Sequence, residues 1–600
     1  MCGIVGYIGN GLAIPVVLDS LKKLEYRGYD SSGIAFLEGQ NLYRERRAGK
    51  LEVLQKALAN RLISSGCAIG HTRWATHGIP NIYNSHPHTD MTNTVAVVHN
   101  GIIENYQKLK NELSKKDVVF SSQTDTEVIP QLIYQEIKDK KFTVKNILKA
   151  IISVNQKIKG TFALAILVKG VDCVFATKRG SPLIVGHTKN ANYIASDIPA
   201  ILSYTNQILQ IKDNETAVLN TETIKVYDKN LKITKPKFEK VNVELDDIML
   251  GNYENFMQKE IAEGAKSVIE TITRLDKFDI IGKLDKTKFK DDFNIHITAC
   301  GTALHAGHIA KYLMEKYLEI PVDLDFASEF RYKNPLLNEK SICIFISQSG
   351  ETADTLACLD LAKSKGAYTL GITNVVSSKM AQEVDLNIPT SAGMELAVAS
   401  TKAYLAQLSA IYFLVVKFGE ILKKPVNLDL NKILRIVDDT KNVNYIDTWK
   451  ELLPTLAREN SMIFIGRGLD YFLAMEGALK VKEISYIHCE AMPAGELKHG
   501  SLALITPLSY VVVILTQKSL CEKTINAVHE LKSRGAKVIL ITNLDIDLEC
   551  DKIVKVPNIE EEYSPFVTIR SLQELAYLLA KFKGVDPDKP RNLAKSVTVE

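Results

Sequence analysis

Two textures of hydrophobic and polar positions divide this chain. Up to about residue 235, short apolar runs recur between turns, as in Cys67–Thr72, Val95–His99, Phe162–Val168 and Ala217–Tyr227. Few helical stretches separate them, and that density predicts stacked antiparallel sheets. From about residue 290, apolar runs such as Ile342–Ile346 alternate with long amphipathic helices. This is the pattern of doubly wound α/β domains. A basic, proline-containing stretch, Lys232–Lys237, reads as a linker, and a helical segment follows from Glu254 to Leu275. The longest uncharged stretch, Ala403–Val416, falls short of the roughly 20 residues a bilayer span needs and predicts a buried core helix.

The second texture repeats itself. Ser364-Lys365-Gly366-Ala367 leads into Leu370-Gly371-Ile372-Thr373-Asn374, and Ser533-Arg534-Gly535-Ala536 leads into Leu540-Ile541-Thr542-Asn543. At the same offset, Ile346-Ser347-Gln348-Ser349 aligns with Leu515-Thr516-Gln517-Lys518. The strand ending at Ala299-Cys300-Gly301-Thr302 has its counterpart ending at Ile465-Gly466-Arg467-Gly468. Two copies of one α/β fold therefore follow each other. The first keeps Ser-Gln-Ser-Gly-Glu-Thr, whereas the second reads Thr-Gln-Lys-Ser-Leu-Cys.

Composition narrows the class. At 600 residues the chain holds several domains, and 46% apolar with 24% charged residues is ordinary for soluble protein. A net charge of +4 over this length gives no strong attraction to nucleic acid or membrane. Nine cysteines, an odd number without a CxxC pair, point to free thiols in a reducing compartment. No basic segment followed by an apolar core opens the sequence, so a cytoplasmic location is expected.

The candidate chemistry starts at Cys2. Loss of Met1 would leave a thiol and an α-amine on one residue, a nucleophile with its own base. Polar clusters flank the apolar runs that follow: Tyr26–Gly33, His71–Gly78, His99-Asn100-Gly101 and Thr124–Glu127. A zwitterionic amino acid needs a cation and an anion, which Arg73 and Asp125 supply. Asn100 and Gly101, at a strand end, offer an amide pair for an oxyanion. The histidine spacings fit no standard zinc pattern, so no metal is expected.

In the second half, Ser347–Thr352 lies between a buried strand and a helix start, with hydroxyls and N–H groups facing the positive end of the helix dipole. It is a phosphate site or an ordinary serine-rich cap, and Gly301-Thr302 after the neighbouring strand favours the site. Glu476, Lys480 and Glu483 share one helical face, as surface salt bridges or as a functional cluster. His499 sits in a polar turn, Gly495–Gly500, where an imidazole can serve as a proton donor or acceptor. The C-terminal tail carries Lys595, and it either frays or folds over a site as a Schiff-base former.

From Cys2 to the final Ser596-Val597-Thr598-Val599-Glu600, these segments resemble, in order and spacing, the isomerising glutamine–fructose-6-phosphate aminotransferases (glucosamine-6-phosphate synthases) of bacterial type. The resemblance implies an α/β chain (α+β plus α/β). Residues 1–235 would form an N-terminal-nucleophile αββα amidotransferase domain of class II, and 236–280 a linker and interdomain helix. Two doubly wound SIS (sugar isomerase) domains would follow at 281–435 and 436–585, with a catalytic tail at 586–600. Cys2 would attack glutamine, Asn100 and Gly101 would form the oxyanion hole, and Arg73, Trp74, Thr76, His77, Gly101 and Asp125 would hold the amino acid. Trp74 would also gate an ammonia channel. Thr302, Ser347, Gln348, Ser349 and Thr352 would bind the sugar phosphate beside Glu476 and Lys480. His499 would assist ring opening, Lys595 would form a Schiff base with the ketose, and Glu483 would move the proton between adjacent carbons.

The implied reaction gives glutamate and glucosamine 6-phosphate, the first step of hexosamine biosynthesis, without metal or organic cofactor. The implied assembly is a homodimer. A paralogue acting on another sugar phosphate, a deglycase and a sugar-phosphate sensor are the competing readings. The chain departs from the family pattern at Gly264-Ala265, where Gln-Pro is usual, at Ser32, where Ala is common, and at Met492-Pro493.

Overall fold

Gly3–Gly9 is buried at every residue, because it runs inside a sheet that is covered on both faces. The computed structural model describes residues 2–59, 61, 63–75, 77–241, 249–289 and 292–598. These form two compact units, Met1–Met249 with Ala594–Glu600, and Leu250–Leu593.

In the first unit an eight-stranded and a seven-stranded sheet stack face to face. Gly3–Gly9 lies between Cys67–Arg73 and Ala191–Ala195, both antiparallel to it, with Gly3 opposite Thr72 and Val5 opposite Gly70 and Ala195. The strand Val95–Ile103 shows how alternation builds the layers. Val95 and Val97 face the helices Val128–Ile137 and Val144–Lys157, while Ala96 and Val98 face the other sheet. Its neighbour Gly160–Val168 repeats the pattern, with Phe162, Leu164 and Ile166 outward and Ala163 and Ala165 inward. Small inward side chains let the sheets approach closely. Helix Ala13–Lys22 covers the far face against Gly3–Gly9 and Cys67–Arg73, which completes the αββα order.

Local boundaries differ from expectation in two places. The run 217–227 is a hairpin, Thr216–Leu219 with Ile224–Tyr227, turned by Asn220, whose Oδ1 accepts from Thr223 N at 2.6 Å. Lys232–Lys237 is not free chain: Ile233–Thr234 pairs with Val226–Tyr227, and Glu239–Lys240 pairs with Gln207–Ile208. Both are two-residue edge strands, where lysine and proline discourage further pairing. The rest of the expected linker, 242–248, lies outside the described residues.

The second unit holds two five-stranded sheets, all parallel and identically ordered. In chain order their strands are Asn294–Ala299, Val322–Phe326, Ser341–Ser347, Tyr368–Thr373 and Leu386–Pro389, then Ser461–Gly466, His488–Pro493, Tyr510–Leu515, Lys537–Thr542 and Lys552–Lys555. Each sheet runs 2-1-3-4-5, so its topological switch point falls between first and third strands. Helix Thr302–Leu318 follows the first strand of one repeat and Leu469–Ser485 that of the other, and these two helices pack on each other. Gly301 (φ 54°, ψ −129°) and Gly468 (φ 55°, ψ −127°) open them with the same backbone shape, one that a side chain disfavours. The apolar helix is Lys402–Leu422, long and apolar enough to cross a bilayer by length and composition, with 72% of that window buried in the protein.

The segment expected as one helix is two, Phe256–Ala262 and Gly264–Asp276, joined at Glu263 (φ −77°, ψ −3°). Beside the joint is a cavity of about 30 Å³ lined by Gly264, Ala265, Leu405 and Phe566 among others. A Cβ on Gly264 would stand 2.8 Å from Leu405 Cδ1, the mobile end of a side chain with that space beside it. Replacing glycine by alanine in a helix gains up to about 1 kcal/mol. Gly264→Ala should therefore raise the unfolding midpoint, as read by a thermal melt; a lowered midpoint would mean that Leu405 cannot move aside.

Candidate active sites

The register that sets Gly3 opposite Thr72 delivers Cys2 to the end of the strand bearing Arg73. Trp74 N donates to Cys2 Sγ at 3.3 Å, and Cys2 Sγ donates to Trp74 O at 3.5 Å. The Cys2 carbonyl accepts from Asn100 Nδ2 at 2.9 Å and from Arg27 Nε at 3.3 Å. Asp197 Oδ2 holds Arg27 in turn at 2.6 Å. Burial pushes the Cys2 thiol up, although the Trp74 amide and Arg73 draw it down. The sulfur thus needs a base close by to become a thiolate.

The same unit carries the residues expected to hold an amino acid. Arg73 is 3% exposed and donates through Nη2 to His77 O and to Gly78 O at 3.3 Å, while its Nη1 is buried without a partner among the described residues. A buried guanidinium N–H without an acceptor is costly unless an anion arrives. Asp125 accepts Ile103 N at 2.7 Å on Oδ2, and its other oxygen takes no hydrogen bond among the described residues. Gly101 (φ 127°) lies so close to its neighbour strand that a Cβ would stand 2.1 Å from Thr161 O. His77 meets Tyr106 edge-on. Thr76 lies outside the described residues.

Beneath Asn100 is a feature the sequence patterns did not assign. His71 Nε2 lies 3.0 Å from His99 O and 3.1 Å from Asn100 Oδ1. Both partners accept, so Nε2 carries the proton and orients the Asn100 amide nitrogen toward Cys2. The His71 ring stacks on His86 at 4.1 Å, and His86 meets His88 edge-on at 4.8 Å. Burial drives His71 down to about 3, places His86 and His88 well below the usual imidazole range, and lowers His99.

In the second unit, the switch point of the first repeat carries both expected loops. Ser347 Oγ lies 3.0 Å from Thr352 Oγ1 and accepts Gly350 N at 3.0 Å, and Ser349 Oγ accepts Glu351 N at 3.2 Å. Gln348 O accepts Asn374 N at 3.1 Å. Helix Ala353–Ser364 begins immediately after Thr352, so half-buried hydroxyls ring its N-terminus.

Thr302 Oγ1 donates to Glu476 Oε1 at 3.0 Å, and His305 Nδ1 lies 2.7 Å from Glu476 Oε2. Lys480 Nζ is 3.6 Å from Glu476 Oε1 and 2.6 Å from Glu483 Oε2. Glu476 and Lys480 are 0% exposed, which disposes of the surface salt-bridge alternative. Burial opposes the Lys480 charge, but Glu483 and Glu476 outweigh it and hold the ammonium above its ordinary range.

The second repeat closes its own mouth. Asp470, aligned with Ala303, accepts Thr516 N at 2.8 Å, Thr516 Oγ1 at 2.5 Å and Gln517 N at 3.4 Å. Glu561 takes Ser519 N and Ser519 Oγ, each at 2.7 Å. An internal carboxylate therefore caps the loop of the second copy, where the first copy has Ala303 at the aligned position. Burial pushes Asp470 up to about 6.

His499 ends the short helix Glu496–His499, exposed, with no hydrogen bond to Glu483 or Lys480 among the described residues. Lys595 lies in Ala594–Glu600, which groups with the first unit.

A glutamine amidotransferase domain model matches residues 71–203, and an SIS domain model matches residues 288–417 and 455–580. The chain is 44% identical over 618 aligned residues to "Glutamine--fructose-6-phosphate aminotransferase [isomerizing]" of Caldanaerobacter subterraneus subsp. tengcongensis, covering 100% of both. It is 43% identical to the like-named protein of Aquifex aeolicus, again over 100% of both. The chain belongs to the isomerising glutamine–fructose-6-phosphate aminotransferase family. Among solved structures, the C-terminal domain of glucosamine-fructose-6-phosphate aminotransferase from Francisella tularensis is 34% identical, with a TM-score of 0.51, covering 56% of this chain and 99% of that one. The packing also brings forward residues that sequence reading left without a role: Arg27 and Asp197 behind Cys2, His71 behind Asn100 and His305 behind Glu476. Each acts through a partner far away in sequence, so no local spacing marks it.

The buried histidines have a consequence for acid stability. Their folded values lie below the unfolded value of about 6.5, so the unfolded chain binds more protons as pH falls below that value. Their contribution is complete above about pH 6.5 and is lost progressively toward pH 3, where His71 itself titrates. The first unit should unfold at lower temperature at pH 5 than at pH 7.5, and His88→Gln should flatten that dependence. An unchanged slope in the variant would exclude His88 from the effect.

Proposed function

We propose that the chain transfers the amide nitrogen of glutamine to fructose 6-phosphate and isomerises the product, releasing glutamate and glucosamine 6-phosphate. One observation carries this reading. A half-buried thiol beside an arginine N–H without a partner among the described residues, and a hydroxyl-ringed helix N-terminus together with a Glu–Lys–Glu cluster of which two members are sealed from solvent, occur in a single chain. Relatives 43–44% identical over their full length bear the name of this reaction.

In the first unit, removal of Met1 leaves the Cys2 α-amine, with an ordinary pKa of roughly 7.7–8.0, to take the thiol proton. The thiolate attacks the glutamine amide carbon. The oxyanion forms against Asn100 Nδ2 and the Gly101 N–H. Arg73 Nη1 receives the substrate carboxylate and Asp125 its ammonium, with Thr76 and His77 completing the pocket. The amine returns its proton to the leaving nitrogen, ammonia departs past Trp74, and water releases glutamate from the thioester. The backbone N–H of Trp74, 3.3 Å from the sulfur, places this residue next to where ammonia forms and supports reading it as the gate.

In the second unit, Thr302, Ser347, Gln348, Ser349 and Thr352 grip the phosphate at the switch point. His499 assists ring opening and Lys595 condenses with the open ketose, losing water, to form an imine. Ammonia displaces Lys595 from it. Glu483, oriented by Lys480, then takes a proton from one carbon and returns it to its neighbour, and ring closure gives the product. The domain divisions 1–235, 236–280, 281–435, 436–585 and 586–600 are read on the same basis. The working form is a cytoplasmic homodimer; the nine free cysteines fit a reducing compartment.

Purified protein given glutamine and fructose 6-phosphate should yield both products in equal amounts, and other sugar phosphates should yield far less. Cys2→Ala should lose glutamine-dependent synthesis by about 10³-fold or more while still binding the sugar. Product formation by Cys2→Ala at the parent rate, or an intact mass retaining Met1 in fully active enzyme, would end the nucleophile assignment.

A further inference from the structure

We infer that His305 is a positioning residue of the sugar site, holding one buried carboxylate so that phosphate grip and proton transfer stay aligned. This rests on the functional reading above. Glu476 is 0% exposed and comes from the second repeat, while Thr302 and His305 come from the first turn of a helix in the first repeat. A carboxylate there has no water to fall back on, so each oxygen needs donors. Oε2 has His305 Nδ1 at 2.7 Å, whereas Oε1 is shared between Thr302 Oγ1 at 3.0 Å and Lys480 Nζ at 3.6 Å.

The division of labour between the two oxygens is the point. With Oε2 fixed by His305, the carboxylate plane cannot turn, and Oε1 stays between the threonine of the phosphate loop and the ammonium that holds Glu483. Without that donor, Oε2 would be a buried acceptor with nothing to accept. The carboxylate would then rotate toward Thr302 or Lys480 and pull one of them from its place. Lys480 is 2.6 Å from Glu483 Oε2, so any such shift reaches the proton-transferring carboxylate directly. Thr302 belongs to the phosphate grip, so the same shift reaches substrate binding. At the aligned position the second repeat has Phe472, which stacks on His308 and donates nothing. Among the described residues only the first repeat has this device.

Three variants test this: His305→Leu, His305→Asn and His305→Gln. The amide nitrogen of asparagine reaches the place of imidazole Nδ1; that of glutamine extends to the place of Nε2 and does not. In His305→Leu, kcat for glucosamine 6-phosphate should fall about tenfold or more and KM for fructose 6-phosphate should rise about fivefold, as for the loss of one buried charge-assisted hydrogen bond. His305→Asn should stay within about threefold of the parent in both constants, and His305→Gln should resemble the leucine variant. Glutamine hydrolysis without sugar reports on the first unit and should be unchanged in all three.

Parent-like kinetics in His305→Leu, or equal behaviour of Asn and Gln, would overturn the inference. If the leucine variant melts or aggregates, the Asn–Gln contrast decides alone. A parent enzyme that made no glucosamine 6-phosphate would instead sink the functional reading, and this inference with it.

Discussion

A carboxylate sealed from solvent must find all its donors in the protein, and Glu476 finds them on two domains that were once copies of each other. Thr302 and His305 come from one repeat and Lys480 from the other. Removing any donor leaves a charge that the interior cannot solvate, at a cost of several kcal/mol. The two helices that carry these groups therefore have little freedom to slide. Their shared apolar core sets the distance between them, and the ionic cluster sets the angle and register. Such a cluster adds little net stability; its contribution is to fix one arrangement of an otherwise permissive apolar contact.

The first unit solves a comparable problem with backbone. Antiparallel pairing places successive residues on opposite faces, so a slip of one residue would turn Cys2 away from Trp74 and Asn100. Gly3 opposite Thr72 and Val5 opposite both Gly70 and Ala195 exclude that slip, because the glycines admit no larger side chain against their neighbours. The ladder of one sheet sets Cys2 beside Arg73 and Trp74, and face-to-face stacking of the second sheet brings Asn100 to them. Arg27 and His71 then lock what the ladder has placed.

Much of this was legible in the chain. Alternation in Val95–Ile103 and the continuous apolar run before Ser347 predict the two sheet types, and the repeated Ser-x-Gly-Ala turns predict the duplication. Cys2, Arg73, Asn100, Asp125 and the Ser347–Thr352 loop are found where strand ends and a helix start would put them. Other features have no local signature. Glu476, Lys480 and Glu483 show the same spacing whether a helix faces water or protein, so only the packed structure tells that two of them are buried. His305 meets Glu476 across 171 residues of sequence and His71 meets Asn100 across 29, distances at which periodicity carries no information. The edge strands at Ile233–Thr234 and Glu239–Lys240 are too short to have a period at all. His499 and Lys595 draw their assigned roles from resemblance, since a polar turn and a chain end look alike in many proteins.

Asp470 has one more implication. The two repeats open their first helices with the same backbone shape at Gly301 and Gly468, yet among the described residues only the second places a carboxylate of that helix against its own loop. By turning its own side chain inward, the later copy became a permanently satisfied lock, with Glu561 as a second bolt. Its long helix instead turns a second carboxylate, Glu476, outward to the sibling repeat, where Thr302 and His305 donate to it. One acid thus seals its own loop and the other stitches the two repeats together.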